Sequence, residues 1–261
     1  MCPLGERLVN GKGSLLRRGR IVCHVLLIEG ADGLTLLDTG LGTEDVRNPR
    51  RLGLRFRGIA MPKLEEHETA VAGVRALGFD PGDVRRIVVT HLDVDHAGGL
   101  GDFPEAEVHV FAREHEVAMN PTGSDGRRYL QAQWAHGPNW VTYEAEGDEW
   151  LGFESVRILP GLGSEVLMIP LPGHSRGHTG IALRMDHGWL LHCGDAYFHH
   201  RETEPQPHCP PGLQAFQWIM QADGKLRHQN QERLRELARS HRDDVTLICS
   251  HDPVYLDGTQ S

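Results

Sequence analysis

The sequence predicts an α+β protein, a single domain over residues 1–261 made of two successive αβ halves, about 1–155 and 156–261. Three observations predict it. Short apolar runs of strand length recur along the chain, helical patterns are set between them, and five of the runs end in an acidic or imidazole residue followed by a turn. The length suffices for a substantial core, and 39% hydrophobic with 24% charged residues is ordinary for a globular chain.

In chain order, Ile21 to Glu29 and Leu34 to Leu37 read as neighbouring strands joined by the turn Gly30-Ala-Asp-Gly33. The second ends in Asp38-Thr-Gly40. Residues 41–64, rich in Arg and Gly, read as a long irregular excursion, the kind of segment that serves as a lid. Glu65 to Leu77 carries a helical pattern with Val71, Val74 and Leu77 on one face and stops at Gly78. Arg85 to Thr90 reads as a buried strand, Glu107 to Phe111 as another, and Ala112 to Met119 as a helix.

The segment from Asp125 to Trp150 is an aromatic excursion carrying Tyr129, Trp134, Trp140, Tyr143 and Trp150, rings that suit core packing, with a pocket wall as the alternative. Four strands follow, at Val156 to Leu159, Glu165 to Pro170, Thr179 to Arg184 and Trp189 to His192. Helices are expected over Leu213 to Gln221 and Gln229 to Ser240, the latter with Leu234 and Leu237 inward. Val245 to Cys249 is the final strand.

The chemistry concentrates after Thr90, where His91, Asp93, Asp95 and His96 crowd into six positions. Alternate residues of an extended segment share a face, so His91, Asp93 and Asp95 can converge, and the turn at His96 can bring its imidazole to the same centre. Imidazole nitrogen and carboxylate oxygen are ligands of zinc, iron and manganese. A solvated acidic loop is the bland reading, but buried carboxylates without partners are costly. Four further strand ends share the grammar: Leu-Leu-Asp38-Thr-Gly, Leu-Pro-Gly-His174-Ser-Arg-Gly-His178-Thr-Gly, His-Cys-Gly-Asp195-Ala and Ile-Cys-Ser-His251-Asp-Pro.

With these motifs in this order, the chain resembles the metallo-β-lactamase superfamily along nearly its whole length. The resemblance implies a four-layer αββα sandwich with metals at one edge. Motif by motif it implies one metal held by His91, Asp93 and His174, a second held by Asp95, His96 and His251, and Asp195 bridging the two. It places Asp38 behind the site as the partner of a ligand histidine. His178 reads as structural, and Gly173, Gly177 and Gly180 allow a close approach of their loop.

The departure is Asp93, where the common pattern His-x-His-x-Asp-His has a histidine. Asp93, Asp95, Asp195 and one bridging hydroxide balance two divalent cations, which favours harder ions and makes iron or manganese a serious alternative to zinc, the metal expected first at the site. A carboxylate here also occurs in the flavodiiron branch, so a di-iron oxidoreductase is one alternative to the leading expectation. That expectation is a dinuclear hydrolase in which a metal-bridging hydroxide opens a lactone or other ester, with Asp95 and Asp195 orienting the nucleophile and Tyr197 assisting the leaving group, packing being the alternative role for this tyrosine.

Within the superfamily the layout is most similar to the N-acyl homoserine lactonase branch, although Tyr197 lies two residues after Asp195 and Phe198 takes the position three after. A phosphodiesterase or phosphotriesterase is a further alternative, with Arg50, Arg51, Arg55 and Arg57 facing an anion. A non-catalytic descendant of the scaffold is the last.

A net charge of −9 argues against non-specific nucleic-acid binding, which needs a basic field. No run approaches about 18 apolar residues, so no membrane span is expected. Five widely spaced cysteines, Cys2, Cys23, Cys193, Cys209 and Cys249, fit a reduced, cytoplasmic compartment. The expected partner is a small-molecule substrate. His199, His200 and His208 read as a solvated histidine-rich loop.

Overall fold

A computed structural model describes residues 1–154, 156–158 and 165–257. The described residues divide into two compact units, one spanning Val25–Glu144 and the other made of Met1–His24 with residues 145–154, 156–158 and 165–257. The N-terminal segment thus belongs with the C-terminal half. Backbone pairing explains it: Val22 N–H donates to His251 O at 3.3 Å and His24 N–H to Ser250 O at 2.9 Å. The short helix α1 (Glu6–Asn10) opens that unit.

The 25–144 unit contains a five-stranded sheet in the order β1-β2-β3-β4-β5. Its strands are β1 (Leu26–Gly30), β2 (Gly33–Leu37), β3 (Val84–Val88), β4 (Glu107–Phe111) and β5 (Asn139–Tyr143). The β1–β2 hairpin is antiparallel and the remaining pairs are parallel. Helices α2 (Thr43–Arg47), α3 (Gly53–Ala60), α4 (Ala70–Ala76), α5 (Val94–Ala97) and α6 (Ala112–Met119) lie along the chain between them.

Residues 41–64 are therefore largely helical rather than irregular. Asp45, fully buried on α2, accepts from Gly42 N at 3.1 Å, Gln133 Nε2 at 3.0 Å and Arg51 Nε at 3.3 Å, and it anchors the segment. Gly42 passes so close to the Gly98 carbonyl that any side chain there would overlap it. The unit's core joins Leu34, Leu36, Val71, Val74, Ile87, Val108 and Val110 with the rings of Tyr129 and Trp134. Trp140 packs against the same cluster, so these aromatics are core residues. Helix α4 ends at Ala76, leaving Leu77 at its C-terminus 66% exposed instead of inward.

The other unit holds a second five-stranded sheet in the order β12-β11-β10-β9-β8 and a two-stranded ribbon, β6 (Glu149–Trp150) with β7 (Phe153–Glu154). The sheet strands are β8 (Val156–Ile158), β9 (Val166–Pro170), β10 (Thr179–Arg184), β11 (Trp189–His192) and β12 (Val245–Ile248). Residue 159 of the strand expected over Val156 to Leu159 lies outside the described residues.

Only β11–β12 is parallel in this sheet. The crossover between them carries α7 (Pro211–Met220) and α8 (Gly224–Ser240), whose Leu234 and Leu237 are buried as the pattern requires. Helix α9 (Val254–Asp257) follows β12. No helix among the described residues is long and apolar enough to cross a membrane.

Candidate metal centre

In the 25–144 unit, β3 delivers the chain to a loop over residues 89–93, and α5 begins at Val94. Asp95 therefore sits on a helical turn and not on an extended segment. His96 N–H and Ala97 N–H both donate to Asp93 O, at 3.0 and 2.9 Å, closing that turn. His91, Asp93, Asp95 and His96 are all buried.

Buried hydrogen bonds fix the loop from behind. Glu114 Oε1, fully buried on α6, accepts from Leu92 N–H at 3.0 Å and from the Tyr129 hydroxyl at 2.9 Å. Burial, reinforced by the Glu114 carboxylate, raises the pKa of Tyr129 well above its ordinary value, so the phenol keeps its proton and donates. The His96 carbonyl accepts from Thr39 Oγ1 at 2.8 Å.

Asp38, immediately after β2, does the orienting expected of it. Its Oδ1 accepts from Thr90 N–H at 2.7 Å, and its Oδ2 from Thr90 Oγ1 and His96 Nδ1, both at 2.8 Å. A carboxylate on Nδ1 fixes the proton there and presents Nε2 of His96 as the lone-pair donor. The His91 and His96 rings lie 4.0 Å apart, and His91 Nε2 is 3.4 Å from Asp93 Oδ2.

Asp93 has a partner that the motif gave no hint of. Arg128 clasps it through a fork, Nε to Oδ1 at 2.6 Å and one terminal nitrogen to Oδ2 at 2.8 Å, with both side chains over nine-tenths buried. Burial opposes the arginine's charge, but the Asp93 carboxylate outweighs it and holds the pKa above its ordinary value, so the pair is ionic. The available signal was chemical. A carboxylate in a place that usually holds a neutral imidazole calls for a counter-charge, and the Arg127–Arg128 dipeptide lies in the aromatic excursion.

In the other unit, three strand-end residues meet on one oxygen. His174 Nε2 is 3.3 Å and His251 Nε2 3.1 Å from Asp195 Oδ2, all three side chains buried. His251 Nδ1 donates to Val22 O at 2.7 Å, so Nε2 is the nitrogen turned to the carboxylate. Burial works against a charge on His251, but the adjacent Asp195 raises its pKa well above the usual value.

His178 is structural: Nδ1 donates to Leu171 O at 3.0 Å and Nε2 accepts from Asp195 N–H at 2.9 Å, tying the His174 loop to the Asp195 turn. Phe198 packs its ring 4.7 Å from His251 and 6.0 Å from His174. Glu202 holds the start of that segment by accepting from Phe198 and His199 N–H at 2.9 and 3.0 Å.

Tyr197 is placed differently from its expected role. Its ring is buried in the unit's core with Leu171, Leu191 and Leu234, and its hydroxyl stands 3.4 Å from that of Tyr255. The side chain that meets the histidines is that of the next residue, Phe198. Both rings are buried, Tyr197 in this cluster and Phe198 in a second one with Val9, Ile21 and Leu213. Burial raises the Tyr197 pKa well above its ordinary value, which further unsuits it for proton transfer.

His199 and His200 stack at 4.4 Å, and with Asp252 they bring donor atoms within 4.8 Å. Asp252 Oδ2 already receives His200 N–H and Nδ1, at 2.7 and 2.8 Å, so this grouping serves to anchor the turn. Arg51 is likewise structural, bonded to Asp45 and to Ala132 O at 2.8 Å.

The donor set suits divalent metals. Two ligand atoms bound at about 2.0–2.1 Å to one tetrahedral ion stand roughly 3.3–3.4 Å apart. The His91–Asp93 and His174–Asp195 spacings of 3.4 and 3.3 Å match that edge, and the His251–Asp195 hydrogen bond of 3.1 Å is slightly shorter.

Comparison with known proteins agrees. The model of the metallo-beta-lactamase superfamily matches residues 18–212. A probable metallo-hydrolase of Mycobacterium tuberculosis is 42% identical over 234 residues, 89% of this chain and 75% of that protein. An N-acyl homoserine lactonase of Rhizobium radiobacter is 29% identical over 231 residues, 87% of this chain and 80% of its own. A solved N-acyl homoserine lactone hydrolase, with N-hexanoyl-L-homoserine bound at its catalytic metal center, aligns with a TM-score of 0.71 at 23% identity, over 98% of this chain and 92% of that one. These matches define a metal-dependent hydrolase. The chain belongs to the metallo-beta-lactamase superfamily and has its α+β fold.

Proposed function

We propose that the protein opens a lactone or related ester with a dinuclear metal centre whose ligands are His91, Asp93, Asp95, His96, His174, Asp195 and His251. The observation that carries the reading is the meeting of His174 and His251 Nε2 on Asp195 Oδ2, at 3.3 and 3.1 Å, with the far ring nitrogen of His251 fixed by a carbonyl. That is how a protein presents a carboxylate and two imidazoles to a cation. When bound, two divalent metals, zinc in our reading, supply Lewis-acid polarisation of the scissile carbonyl and a nucleophilic water at neutral pH.

The chain's own residues do the rest. Asp95 and Asp195 orient the attacking water. His178 holds the Asp195 turn in place through its backbone N–H. The buried Phe198 ring packs against His251 and His174 and backs their imidazoles with apolar contact. The kinship with N-acyl homoserine lactonases supports an N-acyl lactone as the first substrate to assay.

The experiment is a panel of N-acyl lactones, aryl esters, phosphotriesters and phosphodiesters, run on protein as purified, stripped with a chelator and reloaded with zinc. The expected outcome is ester or lactone turnover that the chelator reduces at least about 100-fold and zinc restores. Turnover surviving complete metal removal overturns the mechanism. Phosphoester turnover above all esters overturns the substrate class.

A further inference from the structure

We infer that Arg128 is a positioning residue that makes Asp93 the electrostatic equivalent of a histidine, so that the metal centre keeps the metal preference of the common His-x-His-x-Asp-His pattern. The inference rests on the metal-binding reading above. Taken alone, an aspartate at position 93 adds one negative charge to Asp95 and Asp195 and favours harder cations. The structure pairs it with a guanidinium through two short, parallel hydrogen bonds of 2.6 and 2.8 Å. Aspartate and arginine together are neutral, as an imidazole is.

Geometry supports a ligand role that survives the clasp. Each carboxylate oxygen has two lone-pair directions. Arg128 takes one from each, and Asp93 Oδ2 still lies 3.4 Å from His91 Nε2, the separation of two donors on one ion. The arginine is held to this task by its setting, since its side chain is 9% exposed and a lone cation there would be heavily penalised. Neighbouring Tyr129 is fixed on Glu114, which also holds Leu92 N–H, so the segment bearing the arginine and the loop bearing the aspartate share one anchor.

The test is metal selectivity, read without any substrate. Wild type, Arg128→Gln, Arg128→Lys and the double variant Asp93→His/Arg128→Gln are stripped and equilibrated with equimolar zinc and manganese. Bound metal per chain is measured by mass spectrometry, and folding by circular dichroism. Wild type should select zinc. Arg128→Gln, which leaves the carboxylate charge uncompensated, should move the bound zinc-to-manganese ratio toward manganese about 10-fold or more. Arg128→Lys, which retains the charge, should stay nearer wild type.

Should Arg128→Gln fail to fold, the double variant decides, because it removes the buried carboxylate as well and should return to the wild-type ratio. An unchanged ratio in folded Arg128→Gln, a double variant that differs from wild type, or a wild type that selects manganese overturns the inference and leaves the metal centre standing. A wild type that binds neither metal overturns the metal centre itself.

Discussion

Asp38 adopts a left-handed backbone, φ 55°, a conformation that costs a non-glycine residue about 1 kcal/mol or more. What holds it there is a carboxylate with three donors on it, Thr90 N–H, Thr90 Oγ1 and His96 Nδ1, all buried. The residue thus converts backbone strain into the fixed orientation of one imidazole. Asp38→Ala should lower zinc affinity about 10- to 100-fold, as loss of the carboxylate behind a ligand histidine does. Asp38→Asn separates the two contributions, because asparagine tolerates the left-handed backbone and keeps one acceptor for Thr90 N–H. Its amide N–H₂ cannot accept from His96 Nδ1, so it should also lose affinity while melting close to wild type. Competition with a chromophoric chelator reads this directly, and wild-type affinity in the asparagine variant would show that His96 needs no such partner.

At the level of elements, the loop between β9 and β10 carries His174 and is bound on both flanks. Leu171 N–H donates to His178 O at 2.9 Å, while the Gly173 carbonyl accepts from Ala222 N–H at 2.8 Å and Asp223 N–H at 2.9 Å, just before α8. Gly173 has φ 143°, and a Cβ there would overlap the Arg227 backbone, so Gly173→Ala must push the loop off α8. The expected loss is about 1–3 kcal/mol in urea unfolding, together with reduced metal occupancy. A stable variant with full occupancy would mean that the loop has slack this packing does not show. The same element explains what was legible in the sequence. Strand ends such as Asp38, His174, Asp195 and His251 announce themselves locally, as an apolar run, a polar residue and a turn. Residues 41–64 do not, because their helices are held by contacts such as Asp45 to Gln133 across 88 positions. Arg128 reaches Asp93 across 35, and no local period encodes that choice. Tyr197 and Phe198 are adjacent and both buried, and only the packing decides which of them meets the histidines.

For the molecule as a whole, a histidine buried in a sheet makes stability sensitive to pH, and His109 on β4 is the clearest case. Its side chain is 2% exposed, Nδ1 is 2.8 Å from the Tyr143 hydroxyl on β5, and Glu107 Oε2 is 3.7 Å from Nε2. Burial, with a smaller contribution from the nearby Arg86, lowers its pKa to about 4. In the unfolded chain it returns to about 6.5. Between those values the unfolded state binds a proton that the folded state refuses, so the stabilisation present above pH 6.5 is lost as pH falls toward 4. At pH 5 the loss from this one group is about 2 kcal/mol. In His109→Phe the ring volume is kept and the titration removed, and Tyr143, at a half-buried position, can turn its hydroxyl to solvent. The urea midpoint of the variant should therefore fall less than that of wild type between pH 7 and pH 5, with both proteins stripped of metal so that the remaining histidines titrate alike. Equal falls in the two proteins would show that His109 binds its proton as readily in the folded chain as in the unfolded one.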